Sequence, residues 1–327
     1  MVFYGRSGPT SLIIFLFIFI ISTLISVEAS LLYECPEPED IFPCYCEEED
    51  DDPMVFCNHL SQPEQISQGV RGLKGHRIYR MSFFMNWILD PVKSDAFSDI
   101  AVERILFENS TITLTAPQFK GMENHLSSIQ LRAIFNQTNP VGSWSLSHLT
   151  KLRELIVERN KITTLADDWL TSVPDSLRTV TLEGNNLVSM GDEVLSKVKH
   201  LTFLVLESNR LTSLKRSMLP SPAADLRSIN LNYNRIRYLP YDMFTEMPNL
   251  RSLEMSNNRL TTLDEQIWSG IMSQLTKLDV SDNAFECDRM FKWMVKSKKP
   301  VLLEGNCEKP EEIKGKSLRL LKESDLN

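Results

Sequence analysis

The sequence predicts an α/β solenoid, an elongated array in which one short structural unit recurs along the chain. The clearest copy is residues 152–165, LRELIVERNKITTL, with the spacing L-x-x-L-x-L-x-x-N-x-L-x-x-L. This spacing returns every 24 to 26 residues, and its first apolar positions are Ile78, Val102, Leu126, Leu152, Leu177, Leu201, Leu226, Leu250 and Leu275. Such a period is typical of units that stack around a shared core. We therefore expect about nine repeats whose parallel strands form one curved sheet.

The first 29 residues differ from the rest of the chain. Arg6 precedes an apolar run at 12–26, and residues 27–29 match the small residues that precede a signal cleavage site. An uncleaved membrane anchor is the alternative, but about 15 apolar residues fall short of the roughly 20 that span a bilayer. We expect residues 1–29 to be a signal peptide and a secreted chain, without a membrane span, to begin near Ser30.

Charge and cysteine usage narrow the class of protein. The net charge is −8, and removing the signal leaves it unchanged because one base, Arg6, and one acid, Glu28, are lost. An acidic chain is a poor binder of nucleic acid. The even number of cysteines fits an oxidising compartment. Four precede the repeats and two follow them: Cys35, Cys44, Cys46, Cys57, Cys287 and Cys307.

Residues 30–77 are a predicted N-terminal cap with the spacing C-x8-C-x-C-x10-C. The first repeat of an array has an apolar face without a neighbour, and a small cap needs disulfides because it lacks a core. Four cysteines allow three pairings. We expect residues 54–57 to be a short edge strand, preceded by a loop that holds the acidic run at 47–52. These carboxylates can bind a cation, but their mutual repulsion favours a solvated loop.

Residues 78–286 contain the repeats. In each, the L-x-L core is a predicted strand with apolar side chains on one face only. Asparagine at the ninth position can bond to backbone groups that the following turn leaves unpaired, so we expect it to be structural. It occurs at Asn86, Asn160, Asn185, Asn209, Asn234, Asn258 and Asn283. We assign other apolar residues to the convex side of the core: Phe97, Phe119, Trp169, Phe244, Met247, Trp268 and Ile271.

The second and third repeats depart from this pattern. Their ninth positions are Ser110 and Ile134, and the two N-x-S/T sequons of the chain lie beside them. We expect Asn109 and Asn136 to carry glycans, which would cover the edge of the array at these two repeats.

Residues 287–327 are a predicted C-terminal cap. Cys287 with Cys307 is the pairing available if the two caps close separately. A helical spacing of apolar residues predicts a short amphipathic helix over the last open face. Its residues are Met290, Trp293, Met294 and Val295.

These features resemble the extracellular leucine-rich repeat family over roughly residues 35–321. The resemblance implies a horseshoe with parallel strands on its concave face and, in the N-terminal cap, the pairs Cys35–Cys46 and Cys44–Cys57. The C-terminal cap departs from the family, because Arg289 stands where a second cysteine is usual and one bridge is absent. Its ending still matches the family at Pro310, Ile313, Gly315, Leu318 and Leu321.

Within that family, a narrower similarity is to arthropod secreted proteins typified by the non-catalytic subunit of Oplophorus luciferase. It rests on the cap segment 35–46, the long insert before Ile78 and the strand exit 107–112. This similarity implies an alternative function, that of an accessory non-catalytic subunit in a secreted luciferase-like oxidoreductase complex.

The sequence contains no motif for catalysis, a cofactor or a metal. The five histidines are scattered and lack H-E-x-x-H or C-x-x-C partners, and neither G-x-S-x-G nor a phosphate-binding glycine loop occurs. We therefore predict a non-enzymatic protein with no cofactor and no metal site.

The concave face is the predicted binding surface. The outward positions of successive strands form columns with a spacing of about 5 Å, and the seventh position is acidic in repeats four to six. We expect an acidic column beside an apolar strip to bind an extracellular protein with a basic surface. The candidate residues are Glu154, Ile156, Glu158, Arg159, Glu183, Phe203, Val205 and Glu207. The alternative is that these are ordinary solvated positions of a wide sheet.

Two other columns have a consistent composition. The fifth position supplies the aliphatic residues of the apolar strip, Leu106, Ile156 and Val205. The second position carries Arg153, Arg178, Arg227 and Arg251. We expect these arginines to serve solubility at the edge of the strands.

Overall fold

The computed structural model describes residues 31–136 and 140–326. Its strands are β1 Tyr45–Glu49, β2 Asp52–Asn58, β3 Arg77–Phe84, β4 Ala101–Glu108, β5 Ser128–Arg132, β6 Trp144–Ser145, β7 Glu154–Glu158, β8 Thr164–Leu165, β9 Leu170–Ser172, β10 Thr179–Thr181, β11 Ser189–Met190, β12 Phe203–Val205, β13 Ser228–Asn230, β14 Ser252–Glu254, β15 Lys277–Asp279 and β16 Leu302–Glu304. Its α-helices are α1 Pro63–Arg71, α2 Glu265–Met272 and α3 Lys292–Lys296. Short 3-10 helices lie at Arg216–Met218, Arg289–Phe291, Glu311–Ile313, Leu318–Leu320 and Glu323–Asp325.

Residues 1–29, the predicted signal peptide, lie outside the described residues. So do Gln137 and Thr138, which complete the second sequon. None of the described helices is long and apolar enough to cross a membrane.

One sheet runs through the described part of the chain, with its twelve strands in the order β1-β2-β3-β4-β5-β7-β10-β12-β13-β14-β15-β16. β1 pairs with β2 antiparallel, and the later neighbours are parallel. Each step between repeats joins equivalent positions, so that Leu155 of β7 lies beside Val180 of β10. The predicted α/β leucine-rich repeat solenoid is therefore confirmed.

Alternation within the strands decides which side chains form the core. β7 has the sequence ELIVE, and it buries Leu155 and Val157 while its other three residues stay partly exposed. Burying an aliphatic side chain contributes about 1.5–3 kcal/mol. A single repeat cannot offset the conformational entropy of its backbone in this way, so each repeat depends on its neighbours.

The turn after each strand has one recurring backbone conformation. The eighth residue has a φ between 46° and 61° in the nine described repeats, and Gly184 is the one glycine among these residues. The eighth N–H donates to the seventh carbonyl of the following repeat, as Arg159 does to Glu183 O at 3.0 Å. A hydrogen bond between repeats therefore holds a left-handed conformation that side chains ordinarily disfavour.

The asparagines at the ninth position are structural, as predicted. Asn185 Oδ1 accepts from the Asn160 N–H at 3.0 Å, and its Nδ2 donates to Val157 O at 2.8 Å and to Leu182 O at 2.9 Å. Comparable bonds to backbone groups occur at Asn86, Asn160, Asn209, Asn234, Asn258 and Asn283. We call this set the asparagine ladder, and it satisfies polar groups that the bend would otherwise bury unpaired.

The two repeats without a ladder asparagine use other partners. Ser110 Oγ accepts from the Asn86 N–H at 3.0 Å and donates to Glu108 O at 2.9 Å. In the third repeat, the N–H groups of Ile134 and Phe135 both donate to Asn160 Oδ1, at 2.8 and 2.9 Å. The sheet therefore continues through repeats in which the sequence pattern fails.

The convex side of the core is packed as predicted. Phe97, Phe119, Trp169, Met247, Trp268 and Ile271 are buried, and Phe244 is partly buried against them. In the first repeats the core is aromatic: the Phe83 and Phe107 rings stack at 4.6 Å between centroids, and Phe97 meets Phe83 edge-on at 5.9 Å.

The N-terminal cap has the disulfides that the family resemblance implied, Cys35–Cys46 and Cys44–Cys57. Helix α1 packs closely on the second bridge, since a Cβ at Gly69 would lie 2.5 Å from Cys44 Sγ. Two expectations for this cap were wrong. The acidic run is not a loop before a strand, because it spans β1, a tight turn and the start of β2. The edge strand is β1, since β2 lies between β1 and β3.

The C-terminal cap is closed by the predicted Cys287–Cys307 bridge, but its helix differs from the prediction. Met290 is half exposed and Phe291 is buried instead, because this segment is a 3-10 turn that precedes the short helix α3. Trp293 Nε1 donates to Leu263 O at 2.9 Å, which ties α3 to the repeats. The sequence prediction missed β16, which pairs with β15 and covers the end of the sheet.

Candidate binding surface

The candidate residues on the concave face come from neighbouring strands in register. Glu154 and Ile156 of β7 lie beside Thr179 and Thr181 of β10, and Thr181 lies beside Val205 of β12. The seventh-position residues continue these rows, because the Gly184 N–H bonds to Glu207 O at 3.0 Å. The fold thus brings the predicted residues of repeats four to six together on one face.

The acidic column is partly neutralised by a basic residue. Arg132 Nε donates to Glu158 Oε1 at 2.6 Å, and Arg132 Nη1 lies 3.4 Å from Glu108 Oε2. Burial opposes the charged form of Arg132, but the hydrogen bond and charge of Glu158 outweigh it and raise the pKa of the guanidinium. The structure therefore does not contain three equivalent, mutually repelling glutamates. Glu158 instead forms an ion-pair triad with Arg132 and Glu108.

Glu183 is the centre of the unbalanced charge. Burial raises the pKa of its carboxyl, the charges of Glu207 and Glu158 raise it further, and Arg159 and Arg132 act in the opposite direction. Glu207 has a polar partner, since its Oε2 accepts from Asn230 Nδ2 at 2.7 Å. Within the described residues, the Glu183 carboxylate has neither a hydrogen bond nor an ion pair.

The apolar strip that the sequence predicted is not continuous. Ile156 and Val205 are half-buried and lie on alternate strands, with Thr181 between them. Leu106 is separated from Ile156 in the same way by Gln130. Phe203 is the exception, because 46% of its surface is exposed in β12, where it lies beside Thr179 of β10.

The arginines at the second position have a role that the sequence prediction missed. Arg178 Nη1 donates to Leu177 O at 3.1 Å, and Arg251 Nη1 donates to Pro248 O and Leu250 O, both at 3.0 Å. These two side chains satisfy carbonyl groups of the loop that enters the strand, so they contribute to folding.

Other features lie away from the concave face. A groove of about 890 Å³ lies beside the strand exits of repeats three to six, where Asn136, Lys161, Trp169, Asn186 and Arg210 contribute to its lining. Asn109 of the first sequon is exposed. In the part of the chain that the structure describes, no group of three His, Cys, Asp or Glu residues is placed to hold a metal ion.

Comparison with known proteins agrees with the observed fold. The sequence model of the family described as "Leucine rich repeat" matches residues 150–211 and 224–285. No curated protein sequence matches the chain significantly.

Among the solved structures that are similar to this chain are two of known complexes. A chain of a "TLR13-ssRNA13 complex" is similar with a TM-score of 0.60 and 20% identity. The match covers 77% of this chain and 35% of that chain. A chain of an "octameric complex of Latrophilin 3 (Lec, Olf), Unc5D (Ig, Ig2, TSP1) and FLRT2 (LRR)" has a TM-score of 0.58 and 16% identity, over 85% of this chain and 97% of that one. At such identities the likeness shows the fold alone.

Proposed function

We propose that this protein is a secreted, non-enzymatic binding module that holds an extracellular protein with a basic surface on the concave face of repeats four to six. The observation that carries the proposal is Glu183, an unpaired, partly buried carboxylate between two other carboxylates. A cation placed there would relieve the repulsion among these groups. The leucine-rich repeat fold and its structural neighbours, which form complexes, support a binding role.

The surroundings of Glu183 suit a protein partner. Charge complementarity steers association and selects partners. Phe203 offers an exposed aromatic ring in the same strands, and such rings often contribute most of the binding free energy at an interface. Glu154, Ile156, Glu158, Arg159, Val205 and Glu207 complete the proposed surface.

Secretion and the division of the chain belong to the same proposal. Three disulfides among the described residues fit an oxidising compartment. We assign residues 1–29 to a signal peptide, 30–77 to the N-terminal cap, 78–286 to the repeats and 287–327 to the C-terminal cap. Glycans on Asn109 and Asn136 would leave the concave face of repeats four to six open.

A photo-crosslinker at Phe203 can identify the partner. The same crosslinker at Tyr241, which is 68% exposed after the strand exit of repeat seven, is the matched control. We expect the first position to capture a protein with a basic surface and the second to capture none. Capture at both positions, or of an acidic protein, would contradict the proposal.

Charge reversal then tests the role of the acidic column. We expect Glu183→Lys with Glu207→Lys to weaken binding of that partner about tenfold or more, because like charges now face each other. Glu193→Lys with Asp242→Lys makes the same change in net charge at exposed positions away from the concave face, and we expect it to leave the affinity unchanged. Equal effects of the two pairs would exclude the concave face.

The accessory-subunit alternative rests on the N-terminal cap residues and on the strand exit at 107–112. No feature of the described residues favours it over the binding module, so it stays a prediction from the sequence.

A further inference from the structure

A second charged surface follows the strands at their carboxyl ends. Positions eight to twelve of repeats four to eight have the sequences RNKIT, GNNLV, SNRLT, YNRIR and NNRLT, which contain basic residues and no acid. We call the exposed residues of this band that follow the asparagine ladder the basic edge: Lys161, Arg210, Arg235, Arg237 and Arg259. The net charge of the whole chain is −8, so the charge of this band is opposite in sign to that of the protein as a whole.

The backbone sets these cations in a row. In repeats five to eight, the tenth N–H donates to the eleventh carbonyl of the preceding repeat, at 2.8 Å for Arg210, 2.9 Å for Arg235 and 2.9 Å for Arg259. The Lys161 N–H of repeat four donates to Phe135 O at 3.1 Å. Consecutive repeats are thus stacked at the spacing of parallel strands, about 5 Å. The four steps from repeat four to repeat eight give a row about 20 Å long.

The basic edge is not used by the fold. Within the described residues, none of its five side chains has a hydrogen bond or an ion pair. The opposite edge of the strands differs, because Arg178 and Arg251 donate there to loop carbonyls. Five unpaired cations in a row repel one another, so the folded chain gains from an anion that it does not itself supply.

We propose that the basic edge binds a linear sulfated polysaccharide. A row of cations over about 20 Å matches a chain that carries anions at regular intervals, and guanidinium groups bind such oxyanions through paired N–H donors.

The position of the basic edge favours a sulfated glycan over nucleic acid. The three disulfides of the described residues fit an oxidising compartment, where intracellular nucleic acids are not the usual polyanion. Binding of a single strand relies on a series of aromatic platforms. Here the row is flanked by two exposed rings, Tyr233 and Tyr238, which lie in one repeat.

Binding of the full chain to immobilised heparin tests this assignment. We expect the wild-type protein to bind heparin at physiological salt. The combined substitutions Arg210→Gln, Arg235→Gln and Arg259→Gln should weaken this binding about tenfold or more, because they remove ionic contacts to sulfate groups. The matched control is Lys151→Gln, Arg153→Gln and Arg227→Gln, which removes the same charge from exposed positions at the opposite edge. The control should retain heparin affinity within about twofold, because net charge alone acts weakly at a distance.

Competition experiments identify the chemistry that is recognised. Desulfated heparin should fail to displace the chain, and a single-stranded RNA of equal charge should compete far less well than heparin. The assignment is overturned if wild-type protein does not bind heparin, or if both triple variants lose binding equally. The assignment is also overturned if desulfated heparin competes, because the site would then not recognise sulfate. Competition by the RNA as strong as that by heparin would overturn it too, because the basic edge would then be a nucleic-acid site or an unselective one. Unchanged thermal melting of both triple variants verifies that they are folded.

Discussion

The first three repeats and the last six build one sheet by different means. Strands β3 and β4 have eight residues each, whereas β10 and β12 to β15 have three. The asparagine ladder is unbroken from Asn160 to Asn283 but is replaced by Ser110 and Ile134 earlier. The family model matches residues 150–211 and 224–285, which lie in the last six repeats. The difference shows that stacking needs alternating burial and interrepeat hydrogen bonds, while the chemistry of the turn can vary.

The core compensates for the irregular turns. In the first repeats Phe83, Phe97, Phe107 and Phe119 are fully buried against one another, whereas the regular repeats bury mainly leucine, isoleucine and valine. Aromatic rings bury more surface for each residue and interact further through their ring geometry. We therefore expect the early repeats to depend on these rings and the later ones on the ladder.

The largest expected effect comes from the aromatic core. Phe107→Ala should destabilise the protein by about 3–5 kcal/mol, because it removes a fully buried ring from the stack, and Phe107→Leu by about 1.5 kcal/mol or less. Hydrogen exchange should show lost protection in β3 and β4, with β13 to β15 unchanged, since repeats interact with their nearest neighbours. Uniform loss of protection along the sheet would contradict this separation of the two regions.

The ladder should matter more in the regular repeats. Asn185→Ala leaves backbone groups of Val157, Leu182 and Asn160 without their side-chain partner, and we expect a loss of about 3 kcal/mol. Ser110 Oγ has one hydrogen to donate, whereas the Asn185 amide donates to two carbonyls, so Ser110→Ala should cost less, about 1 kcal/mol. Chemical denaturation of both variants measures the free energy of unfolding. Equal losses would show that the irregular turn depends on its side chain as strongly as the regular turns do.

The smallest effect concerns the charge of Glu183, which lies on the concave face of the regular repeats. Glu183→Gln should stabilise the protein at pH 7 by up to about 1 kcal/mol, because it removes like-charge repulsion between adjacent strands. The pKa of Glu183 is raised on folding, so the native state binds more protons than the unfolded state. Stability therefore falls as the pH rises from the ordinary value of 4.5 through the folded pKa.

The pH dependence supplies the control. The gain from Glu183→Gln should vanish below about pH 4, where the carboxyl of the wild type is protonated in both states. Glu108→Gln should give no gain, because Glu108 is paired with Arg132. Stabilisation by both variants would mean that net charge, and not the position of Glu183, is responsible.

The sequence by itself determined the fold and the role of most recurring positions of the repeat pattern. The spacing of Leu152, Leu155 and Val157 fixes the buried face, because side chains alternate along a strand. Asn160 and its equivalents were predicted to satisfy the turn, and the hydrogen bonds agree. Periodicity carries this information because the regular repeats meet similar surroundings.

Contacts between neighbours were decided only in the tertiary structure. The pairing of Arg132 with Glu158 depends on side chains that are 26 residues apart and on their rotamers, and the separation of Ile156 from Val205 depends on Thr181 between them. The position of β16 also depends on the free edge that the last repeat offers. A single repeat therefore predicts its own core, whereas the charge and exposure of the surface depend on which residues the stack places side by side.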